Sequence, residues 1–308
     1  MKLENTNTVD IAVELNTIKV DAGSVTLGRV LTLLAVAPHA DDVEDAIATA
    51  AATSRAHPCR VVVIVHDEQA EASCDSRLDA EIHVGEDEGA SEVVVLYPKG
   101  GACEDLDTLV MPLLLADTPV VVWWPEVGPD SPQEHPLGNL ATRRITDSRH
   151  NDNPVDYLER LALNYHPGDT DLAWAGITLW RALAVTLVQE RPHGEITAAK
   201  VRGNLDQPAM HLMAGWLAVQ LDITVELEAV DGARTLTEVV LQRADGELVI
   251  RRPDGESVAT LSHPNRQDQR VNLPRRSVAD CLTEDLRRLD PDDMYAQVVT
   301  RGIAMVER

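Results

Sequence analysis

The chain has 308 residues, 44% of them hydrophobic and 25% charged, which excludes wholesale disorder and fibrous repeats and suits two folded domains. Its 51 Asp and Glu outweigh 27 Lys and Arg for a net charge of -24, so neither a nonspecific grip on nucleic acid nor one on anionic lipid is expected. The excess is steepest in residues 1–150, which hold 10 basic and 26 acidic residues.

No segment approaches the roughly 20 apolar residues of a membrane span, and MKLENTNTVD lacks the apolar centre of a signal peptide. A cytoplasmic protein is the expectation. A polar leader, 1–27, precedes Gly28–Ala37 (GRVLTLLAVA), an apolar run suited to a strand covered on both faces. Asp41 and Glu44 then form a D-x-x-E pattern that predicts a helix start, with an Ala-rich helix running to about Arg55. His57–Val65 repeats the buried-strand pattern, and Leu78–Val84 and Gly89–Pro98 add two strands. A helical stretch at Asp105–Leu115 contains Pro112, which predicts a kink or a break. Val120–Pro125 (VVVWWP) is a further strand.

Residues 126–137, rich in Pro and Gly, predict a long surface loop, a candidate lid or docking element. Arg143–Asp147 reads as a short strand. Helices are expected over Pro154–Asn164 and about Asp171–Glu190. This alternation predicts an α/β domain over 28–190, its mostly parallel sheet covered by helices. From Glu195 the pattern changes to a strand, a helix over Asp206–Leu221, and three Asp-Gly turns at 231–232, 245–246 and 254–255. These predict four or five antiparallel strands between Ile223 and Leu273. Helices Ser277–Leu289 and Pro291–Gly302 complete an α+β domain, 191–308, with an antiparallel meander.

Motifs for dinucleotide or phosphate loops, zinc proteases and serine hydrolases are missing, which lowers the expectation of an enzyme. Gly100–Gly101 reads as a turn more readily than as a phosphate loop. Cys59, Cys74, Cys103 and Cys281 have no metal-ligand spacing, and His39, His57, His66 and His83 are dispersed. No metal and no cofactor are expected.

The candidate site is a concentration of Trp and Arg. Trp123 and Trp124 end a strand, Arg143 and Arg144 precede Asp147, and Asp171, Trp174, Trp180 and Arg181 follow within one segment, in a chain without phenylalanine. Trp offers rigid contact area and Arg a planar donor fork, so the group suits a partner surface or an anion pocket. Ahead of both stands a structural core or interdomain seam, in which the arginines balance Asp147, Asp169 and Asp171. On one continuous helix Trp174 and Trp180 would differ by about 120° in direction, which places one inside and one outside.

The segments GRVLTL, HPCRVVV, GASEVVVLYP, PVVVWWP, PLG, RRITD, GDTDLAW, TLWRAL, AGWLA and CLTEDLRRLD occur in order within a stretch from about Gly28 to Tyr295. Together they resemble the glucose-6-phosphate dehydrogenase assembly proteins, the OpcA family of actinobacteria and cyanobacteria. The resemblance implies a noncatalytic assembly factor or allosteric activator that binds glucose-6-phosphate dehydrogenase and promotes its active oligomer. That would support NADPH production in the oxidative pentose phosphate pathway. In the family pattern an arginine often stands two positions after DLAW, where this chain has Gly176. A second copy of the chain is a further candidate partner. The rival expectation is a sugar-phosphate- or nucleotide-binding enzyme or sensor, with its cleft at strand ends near Pro98–Ala102, Trp124 and Arg143.

Overall fold

A computed structural model describes residues 1–21, 30–66, 75–84, 92–189 and 194–307. Residues 22–27 of the expected leader, Gly28, Cys74 and Gly89–Ser91 therefore lie outside the described residues. The chain divides into two compact units, each assembled from separated segments. The first comprises Met1–Asp147, Gly168–Thr170 and Val278–Pro291; the second comprises Ser148–Pro167, Asp171–Ser277 and Asp292–Arg308.

The first unit is built on strands β1 (Lys2–Leu3), β2 (Leu31–Ala37), β3 (Cys59–Val65), β4 (Arg77–Val84), β5 (Glu92–Lys99), β6 (Val120–Trp123), β7 (Arg143–Thr146) and β8 (Asp169–Asp171). Their order is β1-β4-β5-β3-β2-β6-β7-β8. From β5 to β7 the neighbours run parallel, while β4 is antiparallel to β5 and β1 to β4. Every residue of β2 and β3 is buried, as strands covered on both faces require.

Register also places charge in this interior. Arg60 and Glu92 are cross-strand partners, and Arg60 Nε donates to Glu92 Oε2 at 3.0 Å while Nη1 donates to the Leu113 carbonyl at 2.7 Å. Helix Val43–Ser54 follows a 3-10 turn at Ala40–Asp42. The carboxylate that reaches back here is that of Asp42, which accepts from His39 N at 3.2 Å. The capping pair is His39 and Asp42, two residues before the expected Asp41 and Glu44, because the chain enters the helix through this 3-10 turn. Pro112 divides its segment as expected, into helix Leu106–Val110 and a 3-10 turn Met111–Leu113. Part of the leader forms helix Thr8–Asp21, whose Ile11 and Leu15, one turn apart, are buried in the core. Helix Pro136–Leu140 ends the long loop. Helix Val278–Asp285 packs on Val43–Ser54, with His57 Nε2 3.0 Å from the Thr283 carbonyl oxygen.

The second unit has strands β9 (Ile196–Gly203), β10 (Val225–Ala229), β11 (Leu236–Arg243), β12 (Gly246–Arg251), β13 (Val258–Ser262), β14 (Gln269–Asn272) and β15 (Val306–Glu307). They are ordered β14-β13-β12-β11-β9-β10-β15. From β11 to β14 neighbours are antiparallel, joined at Asp245–Gly246 and across Asp254–Gly255, with Gly246 and Gly255 at positive φ of 132° and 85°.

The expected meander is thus four strands, and its first member is a correction. β10 runs parallel to β9, because helix Pro208–Leu221 is the crossover between them and a crossover returns the chain in the same direction. Asp231–Gly232 therefore joins strands that flank β9 on opposite sides, and no hairpin closes there. Pro208–Leu221 is apolar on nearly all sides and buried, as a central helix should be. Gly215 on it meets Gly302 in the π-helical turn Val298–Gly302, which follows helix Asp293–Gln297. A Cβ on Gly302 would lie 2.4 Å from the Gly215 carbonyl oxygen.

Among the described residues no helix is long and apolar enough to cross a membrane.

Candidate functional site

In the first unit Trp123, Trp124, Arg143, Arg144 and Asp147 are all buried. Trp123 ends β6 and Trp124 follows it directly, so the extended chain turns the two side chains to opposite faces. Trp124 meets His135 edge-on at 5.4 Å between ring centroids. His135 Nδ1 accepts from Leu137 N at 3.2 Å and so caps helix Pro136–Leu140. Burial, aided by the neighbouring charge of His66, pushes the His135 pKa down to about 4. The Trp123 indole N–H has no hydrogen-bond acceptor among the described residues.

Arg143 grips Asp285 with a fork, Nη2 to Oδ1 at 2.6 Å and Nε to Oδ2 at 3.3 Å, and Nη1 donates to the Asp290 carbonyl at 3.0 Å. Arg144 pairs with Asp169 through Nε and donates from Nη1 to the Ala141 carbonyl at 3.0 Å. Gly168, φ +100°, is packed too closely for a side chain, since a Cβ there would lie 2.7 Å from the Thr142 carbonyl oxygen and 2.9 Å from Arg144 Nη2. Asp169 was among the acids expected to balance these arginines; Asp285, 142 positions from Arg143, was not. In this unit Gly100, φ 56°, opens a 3-10 turn, Gly100–Cys103.

In the second unit Asp171 caps helix Leu172–Gly176 through Ala173 N at 2.9 Å and also accepts from Ser148 N and Oγ at 2.8 and 2.9 Å. Trp174 Nε1 donates to Asp292 Oδ2 at 2.9 Å, and the Arg181 guanidinium lies over the Trp174 ring at 3.5 Å. Trp174 and Trp180 are both buried. The helical arithmetic that separated them does not apply, because the segment is two helices, Leu172–Gly176 and Thr178–Gln189, broken at Ile177.

Trp180 also lines a feature not foreseen from the sequence, a cavity of about 270 Å³ walled by Arg149, Arg234, Arg252, Arg275 and Arg276 together with Gly176. The five arginines span 128 positions and four separate stretches of chain, so no local motif joins them. The only signals were the pairs Arg251–Arg252 and Arg275–Arg276, set in and just beyond the meander. No group of His, Cys, Asp and Glu suited to a metal ion occurs among the described residues.

Two units, one with a mostly parallel and one with a mostly antiparallel sheet, the second carrying an arginine-lined cavity, define an α/β protein of two-domain type. Residues 50–163 match the family model described as the N-terminal domain of the glucose-6-phosphate dehydrogenase subunit, and residues 167–299 match the model described as its C-terminal domain. The chain belongs to this glucose-6-phosphate dehydrogenase assembly family, OpcA, and its role is one associated with that dehydrogenase. No curated protein matches it. Among solved structures it is similar to the crystal structure of myo-inositol dehydrogenase from Lactobacillus casei in complex with NAD(H) and myo-inositol, at 12% identity over 90% of this chain and 93% of that one, with a TM-score of 0.39. A likeness that loose bears on neither fold nor activity.

Proposed function

We propose that this chain is a noncatalytic partner that binds glucose-6-phosphate dehydrogenase and raises the population of its assembled, active form. The observation that carries the reading is the pair of family matches, N-terminal then C-terminal domain, which together run from residue 50 to 299. Activation by binding requires a difference in affinity, since a partner that binds active and inactive enzyme equally shifts nothing. A preference of about 1–3 kcal/mol changes the active population roughly 5–150-fold.

The excess of acidic residues, 51 against 27 basic, fits a role in orienting the encounter with a basic face. Trp123, Trp124, Arg143, Arg144, Asp147, Asp171, Trp174, Trp180 and Arg181 enter this reading as the framework that holds partner-facing surfaces in shape; eight of the nine are buried and Arg181 is half-buried.

The test mixes this protein with purified glucose-6-phosphate dehydrogenase from the same source, following NADPH formation while light scattering reports the mass of the complex. A rise in both is expected. Unchanged rate and mass across a wide range of mixing ratios would remove the reading.

A further inference from the structure

We propose that the arginine-lined cavity of the second unit binds a small phosphorylated molecule. Its walls bring together five guanidinium groups, those of Arg149, Arg234, Arg252, Arg275 and Arg276, and none of the residues lining it is acidic. In a chain whose acids outnumber its bases nearly two to one, such a concentration of one sign is the reverse of what chance placement produces. Positive groups gathered in a concave, partly desolvated space focus a potential that favours an anion there.

Arg252 makes the case specific. It is 5% exposed, and its side chain donates from Nη1 to the Leu273 carbonyl at 3.0 Å. Among the described residues no carboxylate lies within ion-pair distance of it. Its guanidinium sits 5.1 Å from the centre of the Trp180 ring. Burial and the neighbouring charge of Arg275 lower its pKa, opposed by the weaker pull of Asp254, as for a cation held largely out of water. Arg234 and Arg275 do share a carboxylate, Asp254, but Asp254 is not part of the cavity wall. It holds two of the donor forks in place while neutralising a single positive charge.

The backbone adds a second source of positive potential. Gln207 and Ala209 also line the cavity, and they bracket the start of helix Pro208–Leu221, 14 residues long. Pro208 has no N–H and Met210 N already donates to the Gln207 carbonyl at 3.0 Å, so what this helix start offers the cavity is chiefly the positive end of its dipole. Planar guanidinium forks, several of them, beside a helix N-terminus are the donor set that a phosphate ester or a pyrophosphate satisfies. Trp180 supplies an aromatic wall on which the remainder of the molecule can pack. Gly176 keeps space open beside Arg149: a Cβ there would stand 3.9 Å from Arg149 Nη1, an ordinary contact, with nothing else within 4 Å. A larger residue at this position would project into the site.

Binding of this kind does not depend on the chain activating a dehydrogenase, and its test uses this protein alone. Calorimetry and thermal shift are run on the full chain in low-salt buffer with inorganic pyrophosphate, glucose 6-phosphate and NADP as probes and with citrate and chloride as controls. At least one phosphorylated probe is expected to bind, raise the melting temperature and lose affinity as salt rises. Preference among the three separates a bare phosphate group, a sugar phosphate and a dinucleotide, each a phosphorylated ligand.

Three variants locate the binding. Arg275→Gln removes one fork, and Gly176→Glu places a carboxylate beside Arg149; each is expected to weaken the best probe about tenfold or more, the loss of a charge-assisted hydrogen bond, with the melting temperature of the free protein nearly unchanged. Arg252→Gln should abolish binding, and the two milder variants keep the test sound if it fails to fold. Silence toward all three phosphorylated probes would overturn the proposal. So would citrate binding without any phosphate response, or wild-type affinity in both Arg275→Gln and Gly176→Glu.

Discussion

Replacing Arg143 by Ala tests whether the Trp and Arg group is framework. The guanidinium is 3% exposed and its partner Asp285 7%. The substitution deletes both arms of the fork and the bond to the Asp290 carbonyl. Asp285 would lose the cation its carboxylate faces inside the unit, while keeping among its other contacts a long one from Thr170 Oγ1 at 3.4 Å. Breaking a buried pair from one side costs about 3–5 kcal/mol, most of it the stranded charge. For a unit of about 150–250 residues, where one kcal/mol moves the midpoint by roughly 2–4 °C, the expected loss is about 6–20 °C. Calorimetric melting of Arg143→Ala, Asp285→Ala and the double variant reads it directly. The double variant should be more stable than the sum of the single losses predicts, by about 1 kcal/mol or more, because it removes the stranded carboxylate. A melting temperature within about 2 °C of wild type for Arg143→Ala would show the pair to be solvated and refute the reasoning.

Three further outcomes follow from the same geometry. His135 has a folded-state pKa lowered to about 4, against about 6.5 for an unfolded chain, so the unfolded state binds the extra proton. Its contribution is complete above pH 6.5 and is lost as pH falls toward 4, by at most about 1.4 kcal/mol per pH unit; urea midpoints at pH 7 and 4.5 should differ less in His135→Asn, which keeps a capping acceptor, than in wild type. Gly302→Ala forces a Cβ to within 2.4 Å of the Gly215 carbonyl oxygen and should cost about 1–3 kcal/mol or more in a denaturant titration, as overpacking does. Gly176→Ala is its control, expected to stay within about 0.5 kcal/mol, since its new methyl meets only ordinary contact.

What was legible in the sequence was whatever is encoded locally. LTLLAVA and CRVVVIV are apolar at nearly every position, on both faces of an extended chain, and they became strands buried on both faces. Pro112 broke its helix where a missing N–H and a ring clash must break it. The β10 error came from reading Asp-Gly as a hairpin without asking what the preceding helix does to strand direction. The split at Ile177 carried no proline to announce it, so two buried tryptophans were assigned to different environments. Arg143 and Arg144 stand out in the sequence, yet Asp285 lies 142 residues from Arg143 and nothing local links them. The cavity was hidden for the same reason, because its arginines are recruited one or two at a time by separate elements.

The interleaving of the two units has a consequence for how the chain is made. Family matches divide the sequence near residue 165, but the compact units do not: the first needs Val278–Pro291 and the second needs Asp292–Arg308. A ribosome that has released the first 170 or so residues has exposed the parallel sheet with Arg143 still lacking Asp285. The partner emerges only when roughly 100 further residues have been added. Until then helix Val43–Ser54 lacks Val278–Asp285 as cover. Neither unit can therefore be finished, or excised as one continuous fragment, before these late segments are in hand, and helix Val278–Asp285 acts as a latch on a sheet made well before it.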